Sequence, residues 1–182
     1  MEGQVVLTSG STKLMNSGSS MVIDLNNLTD CKAKSLPISG MFGSGIFSEV
    51  DRNFEFDPMV CGGCIEDCSK DGLQDVDAEK LNAKSISKDC VRLKQNGSWI
   101  TGPKMKERRI KFSLTWLSNN SIIAIGGLNE KQNRKGTKGV EIFDQVKWTS
   151  AVDAPVPIHS HCAIADKDDN IFVLGGVHNG QV

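Results

Sequence analysis

Apolar runs that end on paired glycines recur along this chain. Three are clear, at residues 58–63 (PMVCGG), 121–127 (SIIAIGG) and 170–176 (NIFVLGG), and a weaker copy, QVVLTSG, occupies residues 4–10. Each run is short and rich in valine and isoleucine, which predicts a buried β-strand rather than a helix. The copies return about every fifty to sixty residues, and a period of this length indicates a repeat architecture.

Further strand-like runs surround these glycine-ended strands. FSLTW (112–116) and HCAIA (161–165) precede two of them across short polar turns, so tight hairpins are predicted there. After the glycines come a loop, a third strand and a short fourth strand. The third strands are predicted at residues 21–25, 90–93 and 140–144, and the fourth strands open at Cys31, Trp99 and Trp148. Four short antiparallel strands per unit, a to d, are the composition of one β-propeller blade.

Residues at fixed places in these units resemble the kelch repeat of the galactose oxidase and kelch propeller superfamily. The shared features are paired glycines that close strand b, a hydrophobic and acidic strand c, and a tryptophan that opens strand d. They are found at Gly62, Gly63, Trp99, Gly126, Gly127, Trp148, Gly175 and Gly176, and the third unit also matches at Arg109 and Phe112. The tryptophans are expected to fill the wedge between neighbouring blades. Within the superfamily the chain is similar to secreted invertebrate kelch-like proteins.

The expected fold is all-β, a partial β-propeller of four-stranded antiparallel kelch-type blades, two complete and two incomplete. Residues 1–39 are expected to form blade 1 (strands b, c and d), 40–105 blade 2, 106–157 blade 3, and 158–182 the first two strands of blade 4. Because propellers close with about four to eight blades, the chain is predicted to be a fragment whose remaining blades lie outside it. Blade 1 departs from the pattern, with Ser9-Gly10 for the glycine pair and Cys31 for the tryptophan.

Catalysis of the galactose oxidase type does not fit the composition. The resemblance implies copper-radical chemistry that needs tyrosines, and the chain contains none. His159 and His161 stand at i and i+2 on a predicted strand, where a metal pair is conceivable, but no third ligand accompanies them. We therefore expect no catalytic residue, no cofactor and no metal. The enzymatic alternative is a galactose oxidase-like or glycan-active propeller whose catalytic residues lie outside this chain.

Four of the six cysteines cluster in blade 2: Cys61, Cys64, Cys68 and Cys90. Three interpretations stay open, namely disulfides, buried free thiols and zinc ligands. Zinc is the weakest of them, because the spacing does not give two paired knuckles. Disulfides fit the predicted hairpin, which brings Cys90 near Cys61 or Cys64, while the long loop from residue 64 to 87 can return Cys68.

Three N-glycosylation sequons are present, at Asn27, Asn96 and Asn119. The first two fall in predicted c–d turns and the third in an a–b turn, and in an up-and-down blade these turns share one face. Sugars there would leave the opposite face, which is built from b–c and d–a loops, open for a partner.

Basic and acidic residues are expected to be concentrated in separate loops of that opposite face. Residues 104–138 hold nine Lys or Arg against two acids, and residues 49–79 hold ten acids against two bases. Loops on a rigid scaffold commonly bind partners. The alternative is that these loops are only solvated and that their opposite charges neutralise each other. The predicted contact residues are Lys104, Lys106, Arg108, Arg109, Arg134, Lys135 and Lys138. The predicted function is a binding module for a protein or an acidic glycan.

The remaining partners and the location follow from charge, apolar length and cysteine usage. A net charge of -1 and a basic stretch without interleaved aromatics argue against nucleic acid, and no apolar run is long enough to span a bilayer. Clustered cysteines and sequons favour an extracellular location, whereas the lack of a signal peptide favours the cytoplasm or a truncated start. A second alternative, the substrate-binding propeller of a BTB-type ubiquitin-ligase adaptor, would need further sequence upstream.

Overall fold

The structure is a computed structural model that describes residues 4–8, 20–24, 29–33, 43–46, 57–65, 84–94, 96–131, 136–178 and 181. Within these ranges the regular structure is entirely β, which confirms the predicted all-β class. The described strands are β1 (Gln4–Thr8), β2 (Ser20–Asp24), β3 (Thr29–Ala33), β4 (Ser44–Ile46), β5 (Met59–Cys61), β6 (Cys90–Leu93), β7 (Trp99–Thr101), β8 (Ser113–Trp116), β9 (Ile122–Ile125), β10 (Val140–Phe143), β11 (Trp148–Ser150), β12 (His159–Ala165) and β13 (Ile171–Val177). Across the same ranges there is no helix that could cross a membrane.

The strands form antiparallel sheets in which chain neighbours are also spatial neighbours. The first sheet contains β1 to β3, the second β4 to β7, the third β8 to β11, and the last hairpin β12 and β13. The hairpins predicted from the polar turns are confirmed, because β8 pairs with β9 and β12 pairs with β13. Short turns set the register of the β8–β9 and β12–β13 pairs, and register decides which side chains share a face.

The second sheet, the third sheet and the last hairpin stack face to face with their first strands side by side. β8 lies against β4 on one side and against β12 on the other. The core between the second and third sheets contains Ile46, Met59, Cys61, Cys90, Met105, Phe112, Leu114, Ile122, Ala124, Phe143 and Trp148. Trp148 is only 2% exposed and stacks on Phe143, with ring centroids 5.3 Å apart. Its indole N–H donates to the carbonyl of Pro103 across 3.1 Å, so this large side chain is satisfied as well as buried.

The glycine pairs mark the junctions between stacked sheets. Gly126 and Gly127 have φ angles of 64° and 99°, in the left-handed region that strains any residue with a side chain. A Cβ on Gly126 would also collide with the carbonyl oxygen of Ile158, which leads into the last hairpin. Gly62 holds the same place one sheet earlier, where a Cβ would lie 2.5 Å from the carbonyl oxygen of Arg109. The glycines therefore let the backbone of the second sheet approach the segment that leads into the third sheet, and the backbone of the third sheet approach the segment that leads into the last hairpin.

A disulfide joins Cys61 on β5 to Cys90 on β6. The two residues stand opposite each other in the antiparallel pair, with Cα atoms 4.1 Å apart, as at a non-hydrogen-bonded position. Cys64 is also disulfide-bonded. The zinc and free-thiol interpretations are therefore wrong for Cys61, Cys64 and Cys90. Cys68 lies outside the described residues, and Cys162 is a free, exposed thiol.

Candidate functional site

Three loops converge beside the junction of the second and third sheets. They are the segment before β6, the segment between β7 and β8, and the loop between β9 and β10. Between them lies a pocket of ≈ 100 Å³. Its walls carry four cationic, two acidic and one amide side chain, from Lys88, Lys106, Arg108, Lys131, Glu107, Glu130 and Asn129. This balance of charge makes the pocket suited to an anionic group.

A buried ion pair fixes the loop that carries Lys106 and Arg108. Arg109 is 0% exposed and Glu141 is 1% exposed, and the guanidinium Nη2 donates to the Glu141 Oε1 across 2.7 Å. The Glu141 carboxylate also accepts the backbone N–H groups of Lys106, at 2.6 Å, and Glu107, at 3.0 Å. Such charge-assisted hydrogen bonds are short and strong. Because Glu141 belongs to β10, they tie the loop to a rigid sheet.

Arg109 also holds two backbone segments of the third sheet. Its Nη1 donates to the carbonyl of Gly126 at 2.9 Å and to that of Gly139 at 2.8 Å. The guanidinium stands over the ring of Phe112, with Cζ 6.0 Å from the ring centroid. The prediction that Arg109 belongs to the exposed contact surface is therefore wrong, because internal hydrogen bonds and burial withdraw its charge from solvent.

The other predicted contact residues divide by exposure. Lys104, Lys106 and Lys138 are exposed, Arg108 is half-buried, and Arg134 and Lys135 lie outside the described residues. Lys104 pairs with Asp89 at 2.8 Å, and its ammonium, aided by the Ser87 hydroxyl and the Arg108 charge, lowers the pKa of Asp89 below the ordinary carboxyl value. The Nη1 of Arg108 donates to the carbonyl of Ile86 at 2.9 Å, which orients its side chain at the pocket wall.

Lys88 and Lys131 are pocket residues that sequence reasoning missed. Lys88 precedes β6 and belongs neither to the basic segment 104–138 nor to the acidic segment 49–79, and only the fold brings it close to the other loops. Lys131 belongs to the basic run, where its spacing does not set it apart. Asn129 could have indicated a turn at Lys131, because asparagine favours turns. Its buried amide oxygen accepts the backbone N–H of Lys131 at 3.0 Å and so shapes the loop.

The two strand histidines have different surroundings. His161 is buried between the third sheet and the last hairpin, with Nε2 2.8 Å from the Ser113 hydroxyl. Burial, followed by the nearby His159, lowers the pKa of His161 below its ordinary value. Ser160 between them has a φ of 56° and interrupts the alternation of β12. The Ser113–His161 pair therefore acts as a hydrogen bond between two sheets.

Two sequon asparagines lie in exposed turns, Asn96 between β6 and β7 and Asn119 between β8 and β9. Each side-chain oxygen accepts the backbone N–H two residues later, across 3.0 Å in both cases. In antiparallel meanders these turns lie at the opposite end of the strands from the three pocket loops. Asn27 lies outside the described residues.

Comparison with known proteins gives a likeness of fold alone. Neither a family model nor a curated protein matches the chain. A solved structure described as "Structure of YjhT" matches with a TM-score of 0.65 and 9% sequence identity, covering 90% of this chain and 46% of that one. This chain thus spans about half the length of that structure. At such low identity the likeness concerns the arrangement of strands and says nothing about ligands.

Proposed function

We propose that the chain is part of a kelch-type β-propeller and that its stacked sheets are the blades. The second and third sheets are then complete blades, and the first sheet and the last hairpin are incomplete ones. Three observations support this: each sheet is an antiparallel meander, first strands lie side by side, and the same glycine junction recurs at Gly62 and Gly126. The junction fits a radial stack, where blades approach closely at their inner edges.

The proposed function is that of a binding module, with no catalysis of its own, which acts through a basic loop face. The basic loop face is defined by the pocket cations Lys88, Lys106, Arg108 and Lys131. The observation that carries this proposal is the convergence of these four side chains from three loops. The Arg109–Glu141 pair holds the middle loop in place, so the cations are presented on a preorganised surface.

The partner proposed for this face carries anionic groups together with hydrogen-bond donors. The cations favour carboxylate or sulfate, while Glu107 and Glu130 in the same pocket can only accept hydrogen bonds when ionised. Acidic glycans and acidic protein segments both offer this combination. The exposed Lys104 and Lys138 lie on the same loops and extend the contact surface.

Immobilised heparin is a direct probe of this proposal. The double variant Lys106→Glu and Lys131→Glu should elute at clearly lower salt than the wild type, because it reverses two exposed cations of the face. The matched control is Lys147→Glu and Lys167→Glu, two exposed lysines in turns at the other end of the strands. An equal shift in both variants would show that net charge alone drives retention, and the proposal would fail. Displacement of bound protein by polyglutamate then separates a general acidic ligand from a sulfated one.

We also propose an extracellular location. The Cys61–Cys90 disulfide is of the kind that persists in oxidising compartments, and Asn96 and Asn119 are exposed for sugar attachment. After alkylation, the intact mass of the protein from its native source should be higher when the protein is reduced first than when it is not, because the free thiol of Cys162 is alkylated in both cases and the disulfide cysteines only after reduction. The mass should also fall after treatment with glycosidase. Equal alkylated masses with and without reduction, together with no change after glycosidase, would rule this location out.

A further inference from the structure

A phenylalanine fills the glycine junction between the second and third sheets. A Cβ on Gly62 would lie 2.7 Å from Cε1 of Phe112, and a Cβ on Gly127 would lie 2.8 Å from the Cβ of the same residue. Phe112 is therefore held between a glycine that follows β5 and a glycine that follows β9. It is 5% exposed and has no ionisable group, so proton binding cannot alter the junction at this position.

His161 fills the same place at the next junction, between the third sheet and the last hairpin. A Cβ on Gly126 would lie 3.0 Å from Cε1 of His161, and a Cβ on Gly176 would lie 2.7 Å from the Cβ of this histidine. The residue is 7% exposed. A titratable ring thus occupies a closed slot in which the preceding junction holds the apolar ring of Phe112.

The slot provides a hydrogen-bond partner for only one of the two ring nitrogens. Nε2 of His161 lies 2.8 Å from the hydroxyl of Ser113, which can donate or accept a hydrogen bond. Nδ1 is buried and has no hydrogen-bond partner among the residues that the structure describes. Protonation makes both nitrogens donors. The charged ring would then bury a positive charge together with an unpaired N–H group, and both are unfavourable.

The strands around the ring supply no carboxylate to balance such a charge. β8, β9 and β13 contain no ionisable side chain, and β12 carries only His159 and Cys162 besides His161. Next to these strands at the junction lie Lys111 and His178, which are also bases. His159 adds to the effect of burial and lowers the pKa of His161. The ionisable groups of these strands and of their junction ends are therefore bases or a thiol.

We propose that the junction between the third sheet and the last hairpin is sensitive to pH: it is closed near neutral pH and opens in acid when His161 binds a proton. The preceding junction, which holds Phe112, stays closed. The sign follows from proton linkage, because the open form binds the proton more readily than the closed form. Closure is complete above the ordinary histidine pKa of about 6.5 and weakens as the pH falls below that value.

Two backbone hydrogen bonds report on this opening. The N–H of Gly127 donates to the carbonyl of Ile158 at 2.8 Å, and the N–H of Ser160 donates to the carbonyl of Lys111 at 2.8 Å. Both bonds join the third sheet or its leading segment to the last hairpin or its leading segment, so both break when the junction opens. The N–H of Gly63 makes the matching bond one junction earlier and serves as the internal control.

Amide hydrogen exchange, measured by NMR at about pH 7.5 and about pH 5 and divided by the intrinsic rate at each pH, tests the proposal. Protection of the Gly127 and Ser160 amides should fall roughly five- to thirtyfold in acid, because each pH unit below the ordinary histidine pKa favours the open form by up to about tenfold. Gly63 should lose clearly less protection. An equal loss at Gly63 would show that acid acts on the whole chain, and the proposal would fail.

Substitutions at the histidine assign the response. His161→Phe introduces the residue that the preceding junction uses, and protection of Gly127 should then be the same at both pH values. His161→Gln, whose amide does not titrate, should give the same result and covers the case in which circular dichroism shows that the phenylalanine variant is not folded. The matched control His178→Gln removes a histidine next to β13 and should keep the acid response of the wild type. A wild type without this response, or a response that persists in the folded His161 variants, overturns the proposal.

Discussion

The substitution Glu141→Gln examines the buried ion pair that supports the basic loop face. The amide keeps the shape of the carboxylate but removes the charge opposite Arg109, which is 0% exposed. It also turns one acceptor oxygen into a donor. The two oxygens of Glu141 accept from Lys106, Glu107 and Arg109, so either orientation of the amide sets a donor against a donor. Removing one partner of a buried ion pair costs about 3–5 kcal/mol, and we expect that loss here.

The expected loss is large on the scale of a folded domain, whose total stability is about 5–15 kcal/mol. For a chain of this size it corresponds to a melting temperature lower by roughly 6–20 °C. Urea unfolding followed by tryptophan fluorescence, to which the buried Trp148 contributes beside Trp99 and Trp116, measures this loss. The control is Asp168→Asn in the exposed Lys167–Asp168 pair, whose side chains are 88% and 65% exposed, and it should leave stability unchanged.

A loss below about 1 kcal/mol for Glu141→Gln, the range of surface pairs, would refute the assigned role of the ion pair. A second measurement separates the ion pair from general damage to β10. Arg109→Met should cost less stability in the Glu141→Gln background than in the wild type, because the guanidinium it removes has by then lost its buried partner and keeps only the longer pairing with Glu107, at 3.4 Å. Additive losses would show that the two side chains do not act together.

Three further outcomes are expected. Gly126→Ala should lower the free energy of unfolding in urea by about 3 kcal/mol or more, through backbone strain and collision of the new Cβ. Gly97→Ala, with a φ of 75° and nothing within 4 Å of its Cβ, should lower it by only about 1 kcal/mol. Equal losses would refute the conclusion that Gly126 is required where two sheets meet. Burial lowers the pKa of His161, so as the pH falls the unfolded chain binds a proton at this histidine before the folded chain does. The neutral, buried His161 therefore contributes fully to stability above about pH 6.5, and this contribution is lost as the pH falls below that value. Unfolding midpoints at several pH values should show this loss in the wild type but not in His161→Gln. Replacing Cys61 and Cys90 by serine, which opens a cross-link between positions 29 residues apart, should cost about 3 kcal/mol under the same assay, and an unchanged urea midpoint would contradict it.

Much of the strand pattern could be predicted from the sequence because its signals are local. The valine and isoleucine runs and the two polar turns gave β8, β9, β12 and β13 to within two residues at most strand ends. β7 and β11 begin at their tryptophans, as predicted. The position of β4 (Ser44–Ile46) was not predicted, although four strands were expected in residues 40–105, because a three-residue strand with a central glycine has neither a period of apolar residues nor large side chains to mark it.

The candidate site was only partly predictable, because burial of a charge depends on contacts that are distant in sequence. Arg109 lies in the run KMKERRIK, where nothing in the sequence distinguishes a buried cation from the exposed ones. Its partner Glu141 is 32 residues away. A local hint existed in VEIFD, since an acid between apolar strand residues needs a buried partner. Lys88 had no such hint, because three separate loops create the pocket it lines.

Arg109 connects the glycine junction to the basic loop face, which are otherwise separate features. Its backbone carbonyl accepts the N–H of Gly63 at 3.1 Å, just as the carbonyl of Ile158 accepts that of Gly127 at 2.8 Å one sheet later. The side chain of Arg109 meanwhile holds Glu141, which fixes the pocket loop. Position 109 therefore combines a backbone role that any residue can fill with a side-chain role that needs a guanidinium. Arg109→Lys should keep the sheet stack but loosen the pocket loop, because an ammonium cannot reproduce the fork of donors to two carbonyls and a carboxylate.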